Sequence, residues 1–335
     1  MTDSMSHGSL EDRKAVIDAF ARRHRFKWYE AVPWVLAAGC YFIFDGYHAL
    51  GAQIFATILF ALSLDLLIGF AGIVTLGHAA FFGVGAYAAG IMAANGWQEP
   101  LSQLLVAAVA ASVVGVASGM IVLRTAGLTL LMQTLVVAAL LQELANKWSS
   151  VTGGSDGLLG MKIDPIFGVF RFDLFGHTAY VYCLLVLFLG WLIARNIVYS
   201  PFGRSLTGVR ENTNRMHAIG APVDRRKIVI YTISAALAGL SGALIAQTTA
   251  LVGLNTLALS KSGELIIMLV IGGVGQLYGA FIGVPLYMIA QDRFSQIDPI
   301  FWYFWIGLFM IFVVVFARGG VLGVCERFLE RRRSR

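Results

Sequence analysis

Several apolar runs in this chain reach roughly 20 residues, the length an α-helix needs to cross about 30 Å of hydrocarbon. They are continuously apolar and do not alternate, which excludes a transmembrane β-barrel. A charged fraction of 13% and a mean hydropathy of +0.76 also exclude an ordinary soluble globule. The expected fold is an all-α integral membrane protein, a polytopic bundle of about 8–10 transmembrane helices.

In such a chain the longest polar interruption sets the orientation. Residues 196–227 carry Arg204, Arg210, Arg215, Arg225, Arg226 and Lys227 against only Glu211 and Asp224, an excess that marks a cytoplasmic loop. The net charge of +6 is read the same way and not as nucleic-acid binding. Three regions follow: a cytoplasmic tail over 1–32, a transmembrane domain over 33–318, and a basic cytoplasmic tail over 319–335. Arg13, Lys14, Arg22, Arg23, Arg25 and Lys27 share the first tail with Val16, Ile17, Phe20 and Phe26. That tail is either a basic amphipathic helix on the inner membrane surface or partly ordered chain.

Crossings are expected at 33–52, 53–70, 78–95, 101–123, 127–146 and 178–195. Six crossings from a cytoplasmic N-terminus return the chain inside at Asn196, where the Arg-rich loop begins, and leave 147–177 as an external loop. Segments at 228–253, 264–290 and 299–318 come next, then the basic tail. Three full crossings leave that tail outside, so one segment must be broken. The expected one is 264–290, where Gly272, Gly273, Gly275 and Gly279 interrupt the helix and make a re-entrant pair of half-helices. An even number of crossings with another broken segment gives the same sidedness.

A weak internal repeat singles out the same break. Gly69, Gly72 and Gly77 in the first half match Gly272, Gly275 and Gly279 in the second, each set followed by Phe and a Gly-Val pair. Paired glycine-broken segments in two halves of a transporter point to its substrate path, while glycines also serve close helix packing. The candidate pathway residues are therefore Asp65, Gly69, Gly72, Gly77, His78, Gly272, Gly273 and Gly275. Thr152, Gly153 and Gly154 join them, in a polar turn at the external end of a crossing helix.

No catalytic or metal constellation is present. The chain lacks a P-loop, an H-E-x-x-H pair and a G-x-S-x-G elbow. Cys40, Cys183 and Cys325 are too far apart for a disulfide framework or metal set. No enzyme is expected, and no cofactor. Asp45, Asp65, His78, Glu143 and Glu264 lie in or near apolar segments, where charge is costly and marks function unless it is wetted or paired. Asp65 and His78 flank the first glycine break, where a proton relay would make the chain a gradient-driven secondary transporter.

Four stretches carry a resemblance: 62–87 (LSLDLLIGFAGIVTLGHAAFFGVGAY), 148–158 (WSSVTGGSDGL), 200–222 (SPFGRSLTGVREN, then AIGAP) and 270–283 (VIGGVGQLYGAFIG). Together they resemble the LivM-like permease subunits of bacterial branched-chain amino-acid ABC importers. The resemblance implies a bacterial inner membrane, a second, LivH-like permease, two cytoplasmic ATPases that hold ATP and magnesium, a periplasmic solute-binding protein, and membrane lipid around the helices. It also implies that 200–222 forms the coupling helix that docks on the ATPase. The residues at those positions are Pro201, Gly203, Arg204, Arg210, Glu211, Asn212, Met216, Ala218 and Gly220. Locally, Pro201 and Gly203 bracket the entry, Gly208 to Ala218 is expected as one short helix, and Gly220-Ala221-Pro222 ends it. The family pattern carries small residues where this chain has Arg215 and Met216, and commonly Asn where it has Asp65. Related permeases carry urea, amides or aromatic acids, so these cargoes stand beside branched-chain amino acids.

Overall fold

The apolar spans form helices because their backbone groups have no other partner in hydrocarbon. The computed structural model describes residues 28–43, 46–165, 168, 170, 176–316, 320 and 323. The expected helix in the N-terminal tail, Asp45 and nearly all of the C-terminal tail lie outside them. A 3-10 turn over Trp28–Ala31 leads into α1 (Val32–Ile43). Helix α2 (His48–Asp65) continues as a π-helix over Leu66–Ala71. Then come α3 (Ala79–Ala94), α4 (Pro100–Val122), α5 (Leu128–Lys147), the single turn α6 (Ser149–Thr152) and α7 (His177–Tyr199). Helices α8 (Pro201–Glu211) and α9 (Thr213–Ala218) form the polar interruption. Helices α10 (Val223–Thr249), α11 (Leu259–Gly272), α12 (Gly279–Ile297) and α13 (Trp302–Phe316) complete the chain. Two short strands, β1 (Leu158–Leu159) and β2 (Leu251–Val252), pair antiparallel.

Helix α10 is the core, packed against α2, α3 and α4. Hydrophobicity does not drive helices together in lipid, so close backbone approach does, and small residues permit it. Gly85 on α3 meets the Gly239 backbone, Gly242 faces the Phe82 carbonyl, and a Cβ at Gly115 would lie 2.7 Å from that of Ala235. The outer helices expose their apolar sides, such as Leu105, Val113, Val136 and Leu140, as a lipid-facing surface must.

Two expected boundaries move. The first crossings were expected at 33–52 and 53–70, whereas α1 ends at Ile43, Gly46 lies in a turn, and residues 48–52 open α2. Gly46 takes φ +97°, a left-handed conformation that ends the helix although apolarity runs on. Likewise 208–218 is two helices. The Asn212 backbone is extended, and its side chain accepts from the Arg215 N–H at 2.9 Å to cap α9.

The broken segment is a hairpin. Gly279 packs on Gly273 and Gly283 on Met268, so α12 runs back along α11. At 14 and 19 residues its arms extend beyond the expected 264–290 on both sides. In the turn before α13, the N–H groups of Phe301 and Ile300 hold the Asp298 carboxyl below the usual carboxylate range.

One ion pair pins the N-terminal turn to the bundle. Arg195 Nε donates to Glu30 Oε2 at 2.8 Å, with side chains 7% and 3% exposed. The guanidinium also lies 5.2 Å from the Tyr199 ring centre. Removing one partner of such a pair strands the other charge, so Glu30→Gln is expected to destabilise the protein by about 3 kcal/mol. Thermal unfolding in detergent reads this, and an unchanged midpoint would contradict it.

Candidate functional site

The two glycine breaks meet, and a side chain from the polar interruption meets them both. A π-turn widens the helix, and its carbonyls bond one residue further on. Leu67 O accepts from the Gly72 and Ile73 N–H groups. Arg210 Nη1 donates to the Gly69 carbonyl within this turn. The Arg210 stem lies across Gly72, where a Cβ would stand 2.6 Å from Arg210 Cγ, and Gly72 takes φ +70°. From the other break, the Gly275 N–H donates to Asp65 Oδ1 at 2.7 Å. A Cβ at Gly69 would stand 2.6 Å from Gly275 Cα, so only glycine lets the two breaks touch. Asp65 is 1% exposed, and its Oδ2 has no hydrogen-bond partner among the described residues.

The remaining hinge glycines support this junction. Gly272 packs on Gly279, and Gly273 takes φ +116° beside Gly320, which brings the chain after α13 against the hinge. Gly77 abuts the Thr134 carbonyl, and the Ala79 N–H donates to Ser262 Oγ at 2.9 Å, so the 72–78 loop ties α5 to α11. His78 is buried, 2.8 Å from Ser63 Oγ and stacked on Phe60. Among the described residues it shares no direct hydrogen bond with Asp65.

Thr152, Gly153 and Gly154 lie at the opposite end of the bundle. Thr152 Oγ1 donates to carbonyls at the end of α5, and Gly153 and Gly157 pack the turn against Val252 of β2. That end also holds the His48 and His177 rings, tilted to each other with centres 4.2 Å apart. Glu143 pairs with Lys147 at 3.7 Å and Glu264 with Lys261 at 3.1 Å.

The 200–222 stretch divides into an anchor and an exposed tip. Ser200 Oγ caps α8 by accepting from the Gly203 N–H, with Pro201 at the first helical position. Gly203 fits against the end of α7, and Leu206 and Val209 are buried. Arg204, Arg210, Glu211, Asn212, Ala218 and Gly220 are exposed. Met216 turns inward onto Gly208, which braces α9 on α8, while Ile219 stands 70% exposed at the tip. Sequence reasoning passed over Leu206, Val209 and Ile219. The signal for all three is an apolar residue in an otherwise polar interruption.

Arg124, Arg195, Arg215, Arg225, Arg226 and Lys227 lie at the Arg210 end of the bundle. Glu99, Asp156, Asp164, Asp292 and Asp298 lie at the other.

A helical bundle with apolar outer faces, whose glycine breaks are joined at the Arg210 end, defines a multi-pass membrane protein. Residues 48–314 match the family described as branched-chain amino acid transport system, permease component, and the chain belongs to that family. Its relatives include the high-affinity branched-chain amino acid transport system permease protein LivM of Escherichia coli, 22% identical over 286 residues, which are 79% of this chain and 67% of that protein. LivM of Salmonella typhimurium is 22% identical over the same shares. A probable LivM of Methanocaldococcus jannaschii is 27% identical over 119 residues, 34% of each chain. No solved structure matches. The chain is thus a permease component of a transport system, and its relatives are transport proteins and not enzymes.

Proposed function

We propose that this chain is the membrane subunit of an ATP-driven importer that carries branched-chain or other hydrophobic amino acids into a bacterial cytoplasm. It sits in the inner membrane with both termini and the 196–227 loop cytoplasmic. A second permease, two ATPases holding ATP and magnesium, and a periplasmic binding protein complete the machine. The exposed tip of α9 docks on an ATPase, and closure of the ATPases moves α8 and with it the joined breaks.

The observation that carries this reading is the single bond from Arg210, on the docking segment, to the Gly69 carbonyl between both breaks. The basic character of that end supports its cytoplasmic side. Gly220→Trp tests the docking. Gly220 takes φ +77° with open space around it, so tryptophan strains the turn and puts bulk on the exposed tip without disturbing the core. The variant is expected to insert normally while losing most co-purifying ATPase and most uptake in proteoliposomes. Full ATPase recovery and normal uptake would sink the reading, as would transport by this chain alone under an ion gradient.

A further inference from the structure

The second glycine break is held on both sides. Before its turn, the Gly275 N–H bonds Asp65. Beyond it, Tyr278 and Phe281 stand one helical turn apart at the start of α12 and meet an aromatic cluster that has no part in the Arg210 junction. Trp34 of α1 is the ring at the middle of this cluster. It packs edge-on against Phe188 and Trp191 of α7, with ring centres 4.9 and 5.4 Å away, and against Phe281 of α12 at 5.5 Å. Trp191 is fully buried and lies 6.4 Å from the Tyr278 ring.

The α7 side of the cluster follows from spacing. Phe188, Trp191, Arg195 and Tyr199 recur at steps of three and four residues, so they form one stripe along the helix. Arg195 on that stripe bonds Glu30, one turn of chain before Trp34, so the N-terminal segment is tied to α7 by charge as well as by rings. The stripe ends beside Ser200, whose side chain caps α8, and Gly203 of α8 packs on the Ile197 and Val198 carbonyls. Helix α8 and the end of α7 are therefore one unit. Hydrophobicity does not hold rings together in lipid, so the edge-to-face contacts of Trp34 are what join that unit to α12.

We propose that Trp34 is a positioning residue for transport, a wedge that carries movement of the α7–α8 unit to the far arm of the second break. The proposal rests on the reading of 200–222 as the docking segment. Arg210 acts on the near side of the breaks, through the Gly69 carbonyl, and Trp34 acts on the far side, through Phe281. A ring that only filled space would be replaceable by another apolar side chain with loss of stability alone. A wedge loses its coupling when the ring geometry goes, even where the fold remains.

The test compares the native protein with Trp34→Leu, which keeps an apolar side chain but no ring, and with Trp34→Phe, which restores a ring. Hydrogen–deuterium exchange is measured on the full-length protein in detergent, where the Gly273 and Gly279 N–H groups, bonded to the Leu269 and Gln276 carbonyls, report the hinge. Uptake per ATP hydrolysed is measured in proteoliposomes with the partner subunits present. Trp34→Leu is expected to speed exchange at the hinge several-fold and to lower uptake per ATP several-fold, while exchange along α10 and ATPase co-purification stay native. Trp34→Phe is expected to restore both. Should Trp34→Leu not fold, Tyr278→Leu removes a ring of the same cluster from the hinge side and carries the same expectations. Native hinge exchange or native uptake per ATP in a folded variant, or faster exchange spread evenly over all helices, would overturn the proposal. Absence of ATP-driven uptake by the native complex would sink the transport reading instead, and the exchange comparison would still decide whether Trp34 holds the hinge.

Discussion

Arg210→Glu is expected to abolish uptake and cargo-stimulated ATP hydrolysis while the protein still inserts. The native guanidinium donates to the Gly69 carbonyl and lies close to Asp65 and Gly275. Glutamate removes the donor and sets a carboxylate toward a carbonyl oxygen and near the Asp65 carboxyl. A hydrogen bond to a charged group contributes about 1.5–3 kcal/mol, so its loss alone disfavours the joined arrangement by one to two orders of magnitude. Repulsion adds to that. The fold survives because Leu206 and Val209, which anchor α8, are untouched. Arg210→Lys keeps the charge as a single compact donor and is expected to fall between the two. Proteoliposome uptake with the partner subunits present reads the effect, and normal transport by Arg210→Glu would remove the junction from the mechanism.

Gly242→Val is expected to prevent stable folding. On α10, Gly242 faces the Phe82 carbonyl, and a Cβ there would stand 2.9 Å from the Ala86 nitrogen. These are backbone atoms inside α3, so no side-chain rotation makes room and the two helices must separate. Overpacking costs typically 1–3 kcal/mol in a core that can adjust, and more where a rigid seam cannot. Gly85 and Gly239 lie on the same seam and separate with it. Gly263→Val is the control, because nothing lies within 4 Å of a Cβ there. Fluorescence-detected size exclusion is expected to show aggregation or loss of the first variant and a native profile for the second. Equal profiles would show that the α3–α10 seam is looser than its geometry implies.

The glycines illustrate what a reader of the sequence can and cannot recover. Gly69, Gly72, Gly272 and Gly275 are visible as breaks because glycine is rare inside a stable helix and the pattern recurs in both halves. Gly85 and Gly242 look like ordinary members of an apolar run, yet they hold the core, since close approach depends on the partner helix. The 150–157 turn has the composition of a pore mouth, but Thr152 spends its hydroxyl on the carbonyls that end α5. Composition does not distinguish a polar group that is available from one already satisfied.

By itself the sequence determined the membrane class, most helix positions, the positive interruption and the two glycine breaks. Each of these follows from hydropathy, charge or backbone freedom summed along neighbouring residues. Tertiary structure alone decided that the chain turns at Gly46, that the 200–222 stretch is two helices with Met216 facing inward, and that the breaks meet through Asp65 and Gly275 with Arg210 bonded alongside. The bonds that make that junction span 141 and 210 residues. Contacts at such separation are fixed by how α2, α8 and α11 pack in three dimensions, which no local pattern encodes.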